Sequence, residues 1–127
     1  MGAQHTMTVV NRTRGHLLGD RIALADGFFS RLKGLLGHPE LEEGEGLLIL
    51  PSGGVHMYGM KYALDVLLLD QERRVVASYP ELSPGSRTRM HGNARVALEL
   101  PVGAIGRSGT EEGDEIEWHS QGGASGR

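Results

Sequence analysis

His56 and Asp65 are the two side chains of this 127-residue sequence whose types and spacing best fit a chemical role. An imidazole oriented by a carboxylate can move a proton near neutral pH, or hold a ligand jointly with it. Both lie in the segment Val55 to Asp70, and Gly59 between them leaves the backbone free to turn. Asp65 is the more demanding of the pair. Leu64, Val66, Leu67, Leu68 and Leu69 around it make a strand apolar on both faces, where a lone carboxylate is costly unless paired. By the two-residue period Asp65 shares a face with Leu67 and Leu69. Its charge is met either by backbone amides of the preceding loop or an arginine such as Arg95, or by facing a cleft together with His56.

Other constellations carry less. Ser52, His56 and Asp65 occur in the order of some hydrolase triads, with Gly53 and Gly54 as potential oxyanion donors, yet no G-x-S-x-G elbow is present. A Pro-Ser-Gly-Gly turn explains the same residues. The six histidines, His5, His16, His38, His56, His91 and His119, include no pair at the three-to-five spacing of compact metal sites. His56, Asp65 and His91 could meet only in space, so no metal is assigned, and no cofactor motif occurs. Arg87, Arg89, His91 and Arg95 form either a small cationic rim or a solvated loop. Glu99 reads as a cross-strand partner for an arginine such as Arg95.

The leading functional expectation is a small-molecule or peptide binding module. Its site would be lined by His56, Tyr58, Met60, Lys61 and Asp65, with Arg89 or His91 from the later loop. The first alternative is a hydrolase in which His56 and Asp65 activate water, making these two the candidate catalytic residues. The second is a structural or accessory protein acting through protein contacts at a sheet edge.

The elements that must position these residues are mostly strands. Thr6 to Val10 and Arg21 to Ala25 predict a hairpin turning at Asn11 to Gly15. Between Asp26 and Leu36, Phe28, Leu32, Leu35 and Leu36 recur at helical spacing and predict one helix. Leu47 to Leu50 reads as a central strand. Ala63 to Asp70 and Val75 to Tyr79 read as a second hairpin, followed by a long loop, Pro80 to Gly92. Arg95 to Leu100 and Gly113 to Trp118 complete the set. The fold class is therefore mostly β within α+β: a compact antiparallel barrel or sandwich of six to seven strands with one packed helix. Residues 6–119 form one domain, and Ser120 to Arg127 a disordered tail.

Composition sets the outer limits. Net charge is −3, basic residues are scattered and aromatics are only 5%, which argues against a nucleic-acid partner. The chain has no cysteine, so thiol catalysis and thiolate metal sites are excluded. No apolar run approaches the ~20 residues that span a bilayer, nor does the start resemble a signal peptide. No membrane partner is expected, and the chain reads as cytoplasmic, although a processed secreted form would read the same. Oligomeric state does not follow from the residues.

One resemblance joins these segments. Arg31, Gly34, Leu35 and Leu36 precede Gly46 to Leu50, and Val55, His56, Gly59, Met60, Lys61, Leu64, Asp65, Val66, Asp70 and Val75 follow. Val96 to Gly103 and Gly113 to Ile116 complete a series that resembles the bacterial and archaeal domain-of-unknown-function family 192. The resemblance spans Thr8 to Trp118 and implies a compact, β-rich, barrel-like fold with a helix on one side, but no activity. Members often carry cysteine where this chain has Ser52, threonine at Met57 and proline at Ala63.

Overall fold

The apolar and β-branched residues near the start of the chain form β1 (Thr6–Asn11) and β2 (His16–Ala25), an antiparallel hairpin. The computed structural model describes residues 6–25 and 39–120. The helix expected over Asp26 to Leu36 and the last seven residues lie outside this range. β3 (Glu45–Ile49), β4 (Leu64–Leu69), β5 (Val75–Leu82), β6 (Val96–Leu100) and β7 (Ile116–Ser120) complete one seven-stranded sheet, ordered β5-β4-β6-β3-β2-β1-β7. Ser120, expected to open the tail, instead ends β7, where it pairs with Met7.

The β2/β3 pairing is parallel and every other one antiparallel, so the sheet is mixed. It is not a closed barrel. Its end strands meet at one corner, where Val75 N donates to Asp114 O (2.9 Å) and Gly113 N to Val75 O (2.8 Å). One short helix, α1 (Ala104–Ser108), follows β6. Among the described residues no helix is long and apolar enough to cross a membrane.

Both sheet faces are buried. Val9, Ile22, Leu48, Leu67, Leu69, Leu98 and Ile116 meet on one face, with Ala104 and Ile105 of α1 packed among them. Leu47, Ile49, Leu64, Val66, Leu68 and Ala97 line the other, covered by Leu41 and by Val55, Met57 and Met60 of the loop before β4. This is why β4 and β6 are buried throughout and apolar except for Asp65 and Glu99. Shortening one of these leucines to alanine would cost about 2–5 kcal/mol through lost burial and the cavity left behind.

Asp65 follows the face assigned to it, beside Leu67 and Leu69 and away from the loop that carries His56. Glu99 lies on the opposite face, paired with Leu47 and Val66, and is wholly buried. Arg95, its expected partner, is instead exposed and donates Nη1 to the carbonyls of Gly92 and Ala94 at 2.8 and 2.9 Å.

Candidate binding site

Two loop segments, 52–57 before β4 and 85–91 after β5, run antiparallel beside the sheet. Glycines and turn formers keep the first short of side chains, so the second can approach closely. Met57 N donates to Ser86 O (2.7 Å), Thr88 N to Val55 O (2.8 Å) and His91 N to Gly53 O (3.0 Å). The Thr88 hydroxyl adds a cross-link, accepting from Val55 N (3.0 Å) and donating to Arg89 O (2.8 Å). A Cβ at Gly54 would lie 2.9 Å from the Thr88 hydroxyl and 3.0 Å from Arg89 O, so only glycine lets the segments close.

His56 and Arg87 face each other in this ribbon as a bridge pair. The bonds on either side run between their neighbours, which makes theirs the non-hydrogen-bonded register, with Cα atoms about 4.5 Å apart and side chains close together. Both are exposed. They border a cavity of about 530 Å³ whose other walls are Gly54, Val55, Thr88, Arg89 and Met90. Val55 and Thr88 are buried and hold the floor, whereas Met90 is 79% exposed and overhangs it. Chemically, the cavity offers an imidazole, two guanidiniums and a thioether on a short apolar floor.

A family model, DUF192, "Uncharacterized ACR", matches residues 9–118. The chain belongs to the DUF192 family. Two similar proteins are UPF0127 proteins of Thermococcus. The one from Thermococcus sibiricus is 35% identical over 118 residues, covering 87% of this chain and 73% of the relative. The one from Thermococcus gammatolerans is 32% identical, covering 87% and 74%. Among solved structures, a protein of unknown function from Novosphingobium aromaticivorans superposes with a TM-score of 0.74 at 27% identity, over 88% of this chain and 83% of that one.

Within this DUF192 domain the expected site residues separate. His56 and Arg89 line the cavity. Tyr58 and Lys61 are exposed on the same loop as His56, while Met60 is buried in the core beneath it. His91 is half-buried, its Nε2 2.8 Å from the Tyr79 hydroxyl, which also accepts from Arg89 N at 3.3 Å. That pair steadies the end of the second segment.

Asp65 is not brought to His56. Its Oδ1 accepts from Glu81 N at 2.8 Å, and its Oδ2 from Gly103 N and Ile105 N at 3.2 and 2.8 Å. Backbone amides do satisfy it, as one reading expected, but they belong to β5, to Gly103 just before α1 and to α1 itself, and not to the preceding loop. The Ser52 hydroxyl donates to Gly54 O at 2.7 Å, which fixes the turn. Arg87, Thr88 and Met90 complete the cavity without having been assigned to it from sequence. The alternation of Arg87, Arg89 and His91 was the available signal, and it could not say which residues the loop would turn toward His56.

Proposed function

We propose that this domain binds a small molecule or short peptide segment in the cavity between the 52–57 and 85–91 segments. The observation that carries the reading is His56 itself: the imidazole is exposed at a concave opening of about 530 Å³, on a ribbon whose backbone is fixed by hydrogen bonds. That volume lies within the range of about 300–1,000 Å³ common to small-ligand sites, and the mixture of apolar floor and few polar groups is typical of them. In this reading His56 and Arg89 contact the ligand. Tyr58 and Lys61, just past the first segment, and His91, at the end of the second, supply contacts beyond the opening to a longer one. Met60 and Asp65 act from below by holding the loop and the strand.

A thermal-shift screen of metabolites and short peptides on the wild type and on His56→Ala tests it. A ligand present at about 100 times its Kd stabilises the folded state by about 2.7 kcal/mol. The expected result is a ligand that raises the midpoint of the wild type and has a much smaller effect on His56→Ala. Ligands that stabilise both proteins equally would place binding elsewhere and overturn the reading.

A further inference from the structure

We infer that the ligand class of this cavity is a small oxyanion, a molecule bearing a carboxylate or phosphate group next to a short apolar part. The inference rests on the binding reading above and narrows it. It starts from how the arginines are used. Arg12, Arg14, Arg21 and Arg107 each reach a carboxylate. Arg74 and Arg95 donate to main-chain carbonyls, and Arg73 lies over the Trp118 ring at 3.8 Å. Arg87 and Arg89 differ. Among the described residues their guanidiniums meet no carboxylate and no other acceptor.

These two stand two residues apart on the same segment, and both line the cavity. His56 is paired across from the first of them. Among the described residues no acidic side chain lines the opening. In a chain of net charge −3, two cations without partners among the described residues form a local positive field at one concavity, against the overall sign. Guanidiniums present paired N–H groups that match the oxygens of a carboxylate or phosphate, so the arrangement selects an oxyanion over a neutral polar group. Val55 and Met90 provide the adjoining apolar surface, and the unbranched, polarizable Met90 can adapt to what lies against it.

The test uses three probes of six carbons each: hexanoate, hexyl phosphate and the neutral hexanamide. Each is titrated into the labelled full chain while the backbone amides of Gly54, His56, Thr88 and Met90 are followed by NMR. Ligands this small reach about millimolar affinity. The anions should shift those amides and hexanamide should not. Arg87→Gln with Arg89→Gln should weaken the anions by about tenfold or more, and the Lys-for-Arg pair by less. Unchanged shifts in β4 and β6 verify that the variants are folded.

A response to only one anion also supports the inference and identifies the headgroup. Equal binding of hexanamide, or anion binding that survives the double glutamine variant, overturns it while leaving the binding reading intact. If neither anion moves the cavity amides, the oxyanion assignment falls, and the ligand screen above separately decides the binding reading.

Discussion

The carboxylate of Asp65 accepts three main-chain N–H groups that no sheet ladder serves. One belongs to Glu81, at the point where β5 slips by a residue against β4 and Glu81 takes a φ of 52°. Two belong to the start of α1. The hydrophobic neighbours of Asp65 already required a set of donors in the sequence, and the two-residue period gave the correct face. The donors themselves lie 16 to 40 residues away, beyond any local pattern. An asparagine keeps the volume but offers one acceptor oxygen and turns an NH2 group toward an N–H. Asp65→Asn should therefore cost about 2–4 kcal/mol, read as a lower denaturation midpoint with unchanged slope in urea. An unchanged midpoint would show that the carboxylate contributes nothing its amide cannot.

Elements with regular patterns were readable from the residues, and those built on irregularity were not. β4 was recognisable because burial on both faces leaves a run apolar but for Asp65, and β6 because Val96, Leu98 and Leu100 alternate with Arg95, Ala97 and Glu99. β2 was read only from Arg21, although the strand begins at His16. Its pairing with β1 shifts register twice, and Asp20 and Arg21 are both exposed where one slip occurs, so alternation fails there. α1 spans five residues between Gly103 and Gly109 and has too few turns to show a period. The ribbon around His56 is the same kind of element, held by loop hydrogen bonds and by the space at Gly54. Gly54→Ala would place a methyl group against the Thr88 hydroxyl and Arg89 O. Hydrogen exchange at the Met57 and Thr88 amides should accelerate about tenfold or more, a local opening cheaper by about 1.4 kcal/mol, while β4 amides keep their protection. Equal acceleration in β4 would mean that the ribbon and sheet open together.

Taken as a whole, the molecule is a curled sheet whose ends are joined at a corner, and polar groups secure that corner where the apolar faces cannot. Asp114 O accepts from Val75 N, while the Asp114 side chain holds the turn between β1 and β2 from the other side. Its Oδ2 accepts from Arg14 Nε, from Asn11 Nδ2 at 2.9 Å and from Glu111 N at 3.0 Å. The Arg14 hydrogen bond is the main cause holding the Asp114 carboxyl down at about 2, below its ordinary 3.8, against the opposing effect of burial. Because the folded value lies below the unfolded one, the ionised form favours the native state. The stabilisation from this group is complete above about pH 4 and is lost as pH falls through about 2, where both states are protonated. Urea midpoints measured from pH 5 to pH 2 should fall for the wild type and fall less steeply for Asp114→Asn, which has no proton to gain. The variant should also be the less stable of the two at pH 7, because the charge-assisted bond to Arg14 is absent. Parallel pH profiles for the two proteins would show that the corner is held by its backbone bonds and the apolar faces, with the carboxylate a passenger.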